Sequence, residues 1–522
     1  MGAARTTPRR TRQRGRGGGR FGIQQASEVR VRRSGERLSP TFRGAIWSYA
    51  GSLYLTGGQF VLGVVLARLL RPAEFGLFIA VTAYTSLLLL VAQFGLPQAV
   101  LQARSLSRDA LNAAFFLLTG FALVCFGCAW IAVIPLAAVY RAPGFATVFL
   151  CMAGTLLLTP YTSLGLAVLR REMRFDEVAR LDISAFSMSA ASAVLAALVG
   201  AGAYSLVLAA FVSMAIKAAG IAGRLKWRPQ WPRFEDGWTL LKYARFAAIN
   251  SLISVSGNRV DNMMVGGLLG TAALGLYNRA YSLARIPPDQ FGESIGPLLL
   301  GSFSRIQNDA AASRTRFFEA VGGVTLLTWP FLVALLVVGP QVIALLYGEA
   351  WRGAGLPLQA MIGGAACLVV VSTLRGLINA QGLVAELVGV NLWTLGATVV
   401  VVIGLSPYGL TAVAVGISLR EAFMCTLMLR LARRSRLGIA AGDVLYAVLP
   451  ALIGSSAALL AGLIAASVAH RAEPASTVLA VLAGSGAVFV SYAAVVGLLM
   501  LLWKTHVPLV GVRDRLLGLV VR

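Results

Sequence analysis

The chain is 522 residues long, enough for three or four soluble domains of ordinary size. Its composition excludes them. Counted with Gly and without Tyr, about 65% of residues are apolar, and 13% are charged, against roughly 45–50% and 25% in soluble domains. No water-soluble fold of this length hides so much apolar surface, so the chain belongs in a bilayer. A net charge of +25 raises nucleic acid as a partner, but the placement of the charge argues otherwise. Residues 1–43 hold twelve Arg and two Glu, and most other basic residues sit in short connectors between apolar runs. There is no basic face interleaved with aromatics, and no nucleic acid is expected as a partner.

In chain order, residues 1–43 are Arg- and Gly-rich and predict a disordered cytoplasmic tail touching anionic lipid rather than an RNA-binding arm. The first apolar stretch begins at Gly44, too late for a signal peptide, and Arg32-Arg33 lacks an adjacent apolar core. Fourteen stretches then approach the roughly 20 apolar residues a spanning helix needs. They lie at 44–67, 76–101, 111–139, 145–169, 181–200, 203–223, 243–267, 273–302, 317–346, 355–379, 384–404, 409–429, 444–469 and 475–503. The seventh and eighth are the least apolar, so a hydropathy window would return twelve or thirteen. The predicted fold class is an all-α integral membrane protein of about 14 transmembrane helices, in two pseudo-symmetric six-helix lobes plus two C-terminal helices. The lobes are 44–223 and 243–432, joined by a cytoplasmic linker at 224–242. Spans 13 and 14 occupy 433–505, and 506–522 form a cytoplasmic tail.

With the N-terminus in the cytoplasm, 35 Lys and Arg fall on the cytoplasmic side, five on the other, and six within spans. That asymmetry places both termini inside; losing the seventh or eighth span alone would invert every later loop. The first and seventh spans also share a pattern. Ser48, Ser52, Thr56 and Gln59 recur 202 residues later as Asn250, Ser254, Asn258 and Asp261. Gly76-Leu77-Phe78 recurs 199 residues later as Gly275-Leu276-Tyr277. Two halves that both start in the cytoplasm predict parallel repeats about an axis along the membrane normal.

The eighth span is the most polar. Asn278, Ser282, Arg285, Asp289 and Glu293 fall within about 80° on a helix, and Pro287-Pro288 should kink it. Gln93 lies on a polar face of the second span with Thr82 and Ser86. Ionisable groups at membrane depth are costly and face a partner or a wet cavity. An Arg285–Asp289 pair at i, i+4 that only supports packing explains one span, but polar faces on spans 1, 2, 7 and 8 point to a hydrated central cavity. Cys125, Cys128, Cys151, Cys367 and Cys425 all lie in apolar runs, and His470 and His506 are the only His. Inert thiols and no metal site are expected.

At this point the chain resembles the multidrug/oligosaccharidyl-lipid/polysaccharide flippase superfamily, above all its polysaccharide transporter branch. Three local features carry the likeness: Phe94-Gly95-Leu96 with Gln98 and Gln102, Leu169-Arg170-Arg171-Glu172-Met173-Arg174-Phe175, and Leu346-Tyr347-Gly348-Glu349-Ala350-Trp351. The second is similar to colanic-acid-type exopolysaccharide exporters. The likeness covers about residues 41–505, and the basic tail departs from it. It implies a flippase in the bacterial inner membrane that moves polyisoprenyl-pyrophosphate-linked oligosaccharide outward by alternating access. Such a protein is not an enzyme, needs no cofactor beyond H+ or Na+ coupling, and works beside other polysaccharide-assembly proteins. Candidate cations for the pyrophosphate are Arg285, Arg279, Arg375 and Arg259. Candidate sugar contacts are Asn250, Ser254, Asn258, Asp261, Asn278, Ser282, Asp289, Glu293, Gln59 and Gln93. The first-span arginine of the peptidoglycan-precursor branch has no counterpart here. A cation-coupled drug antiporter of the same superfamily is the alternative. A membrane polymerase or glycosyltransferase would need a D-x-D motif or a long outer loop, and the sequence has neither.

Overall fold

A computed structural model describes residues 40–103, 106–225, 227–231, 259–305, 309–435, 437–472 and 477–502. Side chains are described throughout these ranges except at 40–50, 292–305, 384, 470 and 472. The tail expected at 1–39 lies outside the described residues.

The described chain is helical. The first half contains α1 (Pro40–Leu69), α2 (Pro72–Gln93), α3 (Leu96–Gln102), α4 (Arg108–Tyr140), α5 (Phe145–Gly154), α6 (Thr159–Arg171), α7 (Phe175–Leu198) and α8 (Tyr204–Leu225). The second half contains α9 (Val260–Leu269), α10 (Thr271–Arg305), α11 (Ala310–Tyr347), α12 (Gly355–Ala380), α13 (Val384–Leu405) and α14 (Leu410–Arg434). Two further helices, α15 (Ala441–Ala472) and α16 (Thr477–Leu502), pack on each other and on α11.

Among the described residues, twelve helical stretches are long and apolar enough to cross a membrane. They match the fourteen expected spans with the seventh and eighth left out. The eighth is present as α10, which runs unbroken through Pro287-Pro288 for 35 residues but is too rich in charge to qualify by hydropathy. Of the seventh, only α9 is described. Ile131, Ile134, Val400 and Val490 project from the bundle more than 70% exposed, as suits contact with hydrocarbon.

The three motifs mark corners of the chain. Phe94 (φ 43°) and Gly95 (φ 69°) are both left-handed and turn α2 into α3. In the second motif Met173 is left-handed, φ 59°. Arg171 there donates to the carbonyl oxygens of Val100, at 3.2 Å, and Ala103. Arg174 pairs with Glu177 at 2.8 Å and Glu172 at 2.9 Å, contacts that push its guanidinium further up from its ordinary value. In the third, Gly348 (φ 93°) turns the chain so that Trp351 is fully buried.

The two halves meet where α2 crosses α10. A Cβ on Gly76 would sit 1.8 Å from the Thr271 carbonyl oxygen, and one on Gly275 would sit 2.1 Å from that of Pro72. Pro72 and Thr271 are separated by the same 199 residues as the two glycines. The repeat read in the sequence thus reappears as a reciprocal contact in space.

Further bonds join the halves at this same end. Arg68 Nε donates to Leu346 O at 2.9 Å, and Nη2 to Leu345 O. Trp351 Nε1 donates to Ala67 O at 2.7 Å, and Tyr140 OH to Met263 O at 2.9 Å. This end of the bundle is closed.

Candidate functional site

Helix α10 divides two chambers. Positions 279, 282, 286 and 290 recur at helical spacing along one face, while 281, 285, 288 and 289 lie on an adjoining face, roughly a third of the way round the helix.

The second face lines a polar pocket of about 270 Å³ inside the second half, closed by α12, α13 and α14. Arg285 grips Asp289 with both arms, Nη2 to Oδ1 at 2.9 Å and Nε to Oδ2 at 3.1 Å, and donates to Tyr281 OH at 2.7 Å. Arg420 and Glu421, 7% and 3% exposed, contact each other, and Arg420 Nη1 lies 3.4 Å from Thr398 Oγ1. Arg420 Nε and Glu421 Oε2 are buried without a hydrogen bond. Arg375 completes the wall, with Ser372, Asn391 and Thr394 beside it. Arg285 and Arg420 are held by carboxylates on their own helices. Arg375 is exposed to the pocket and pairs with no carboxylate among the described residues.

The first face lines a larger cavity of about 790 Å³ between α1, α10, α11 and α16. Its walls are mostly apolar: Phe60, Leu283, Ile286, Phe331, Val338 and Phe489. Gln59, Ser282 and Gln290 add polar groups to the lining, which also includes Arg279.

The predicted residues therefore divide. Arg285, Asp289 and Arg375 meet in the polar pocket. Gln59, Ser282 and Arg279 line the apolar cavity. Asp261, 2% exposed, accepts from Tyr277 OH at 2.9 Å and from the Asn262 backbone N–H at 2.8 Å, behind the pocket. Asn278, Gln93 and Arg259 are partly buried and line neither chamber. Asn250, Ser254 and Asn258, and the side chain of Glu293, lie outside the described residues. Sequence reasoning missed Arg420, Glu421, Ser372, Asn391 and Thr394. The available signal was the ionisable pair at membrane depth in the twelfth span. Among the described residues, no group of three His, Cys, Asp or Glu is placed to hold a metal ion.

A family model described as "Polysaccharide biosynthesis protein" matches residues 65–355, more than half the chain. The chain belongs to this family. Among its relatives, the lipopolysaccharide biosynthesis protein WzxC of Escherichia coli (strain K12) is 24% identical over 345 residues, covering 66% of this chain and 69% of that protein. The succinoglycan biosynthesis transport protein ExoT of Rhizobium meliloti (strain 1021) is 24% identical over 319 residues, covering 59% and 63%. Among solved structures, the lipid II flippase MurJ in an inward closed conformation superposes with a TM-score of 0.66 at 13% identity, over 86% of this chain and 98% of that one. An inward-facing multidrug resistance MATE transporter of the MOP superfamily reaches 0.54 at 14% identity, over 74% and 97%. This family member has their fold.

Proposed function

We propose that the protein flips polyisoprenyl-pyrophosphate-linked oligosaccharide across the bacterial cytoplasmic membrane for surface polysaccharide assembly. The observation that carries this is the pairing of chambers on α10: a polar pocket with a guanidinium, Arg375, that has no carboxylate partner among the described residues on one side, and an apolar cavity on the other. A lipid-linked sugar has the same division. Its pyrophosphate needs a cation with a planar, bidentate donor set, which Arg375 offers. Its sugars need amides and hydroxyls, which Asn391, Ser372 and Thr394 offer, and its isoprenoid needs apolar walls. MurJ and ExoT, named as a lipid II flippase and a succinoglycan transport protein, support the reading. Three arginines around the pocket disfavour a cationic drug.

Transport proceeds by alternating access, with 44–223 and 243–432 as the rocking units, 224–242 as their linker and spans 13 and 14 added at 433–505. The positive-inside asymmetry puts both termini in the cytoplasm and the closed end outside. An H+ or Na+ gradient supplies the energy, and other polysaccharide-assembly proteins supply and consume the substrate.

The test is Arg285→Ala alone and with Asp289→Ala, reading folded protein and outer-leaflet sugar. A transport role gives normal insertion with lost export in both variants. If the single variant loses folded protein and the double variant restores folding and export together, Arg285 only packs the helix and the pocket is not the substrate site.

A further inference from the structure

The guanidinium of Arg279 is buried, 8% exposed, with no carboxylate partner among the described residues. It lies in an aromatic cage. Its Cζ is 3.9 Å from the ring centre of Phe75, 5.2 Å from that of Tyr347 and 5.7 Å from that of Trp351. Nη2 donates to Gly63 O at 3.1 Å, and Nε has no hydrogen bond. The absence of a Cβ on Gly63 gives it room: one there would sit 3.2 Å from Nη1.

The elements that meet matter more than the contacts themselves. Arg279 belongs to α10 in the second half. Gly63 and Phe75 belong to α1 and α2 in the first. Tyr347 and Trp351 form the corner whose indole also bonds to Ala67 O. A single cation therefore ties both halves together at the closed end, one helical turn from the Gly76–Gly275 crossing.

We propose that Arg279 is a latch: it holds this end shut by cation–π contacts and must leave its cage each time the end opens. The proposal rests on the alternating-access reading above. The chemistry suits a reversible contact. A bidentate salt bridge buried at this depth would strand two charges when broken. Here opening strands none, because the rings and the carbonyl are neutral and the guanidinium moves into whatever water enters.

The experiment measures both ends of the full-length protein in lipid nanodiscs, with the native cysteines replaced. One spin-label pair, Arg141→Cys with Arg352→Cys, spans the closed end. A second pair, Arg108→Cys with Ala311→Cys, spans the other. Unsubstituted Arg279 should give mostly the short distance at the first pair. Arg279→Ala should move the ratio of open to closed by about tenfold at that pair, with the opposite change at the second. Arg279→Lys should lie between, because it keeps the charge and loses the planar stack. Phe75→Leu removes the nearest ring while leaving the cation in place, and should shift the ratio in the same direction. It also carries the test if Arg279→Ala does not fold. Two populations at both pairs, with a ratio that none of these variants changes, would overturn the latch and leave alternating access intact. A single population at both pairs, with or without gradients, would instead overturn alternating access itself.

Discussion

The arginines at membrane depth differ in what their removal leaves behind. Arg420 is buried against Glu421. Arg420→Ala should cost about 3–5 kcal/mol, because a carboxylate remains buried without its counter-charge. Less folded protein and an early thermal transition in detergent would show this, and Arg420→Met with Glu421→Met should recover most of the loss. Arg375 forms no ion pair among the described residues. Arg375→Ala should leave the melting temperature within a degree or two, while export of lipid-linked sugar falls at least tenfold per folded molecule, by about 1.4 kcal/mol or more. A melting loss like that of Arg420→Ala, with normal export, would make Arg375 structural.

At the scale of helices, backbone contact sets the tolerance to change. Neither carbonyl oxygen facing Gly76 or Gly275 can rotate aside, so Gly76→Ala and Gly275→Ala should each destabilise by about 1–3 kcal/mol. The double variant should cost less than the sum, since one separation of α2 from α10 relieves both clashes. Gly404→Ala, with open space at its Cβ, should be near neutral. Strict additivity would show that the two helices do not share this crossing. Twelve spans and the Gly76/Gly275 crossing were legible in the sequence because apolar length and a recurring Gly-Leu-aromatic triplet are local patterns. The Arg279 cage was not legible: its partners stand at 63, 75, 347 and 351, and no spacing rule connects them. Arg420 and Glu421 escaped notice because neighbours at i, i+1 do not ordinarily face each other on a helix. The sequence suggests one polar stripe on α10 facing one cavity, whereas the boundary between the chambers falls within that stripe, leaving Ser282 on one side and Asp289 on the other.

For the whole molecule, the charge count makes a directional statement. In intact cells with the native cysteines replaced, a cysteine beside Arg352 should react with an impermeant thiol reagent, and one beside Arg174 should react only after permeabilisation. Labelling of the second site from outside would invert the topology and with it the proposal that the closed end lies outside. In the proposed orientation the Arg171 and Arg174 corner, with its ion pairs to Glu172 and Glu177, lies at the cytoplasmic mouth, where basic residues are retained.

Gly76 faces the carbonyl of Thr271 as Gly275 faces that of Pro72, so each half offers the other a copy of its own surface. A patch that is its own complement is what homodimers use. The protein carries, within one polypeptide, the kind of interface that joins two subunits. A single continuous chain keeps the two copies at high effective concentration, so a crossing that separates can re-form without a second encounter.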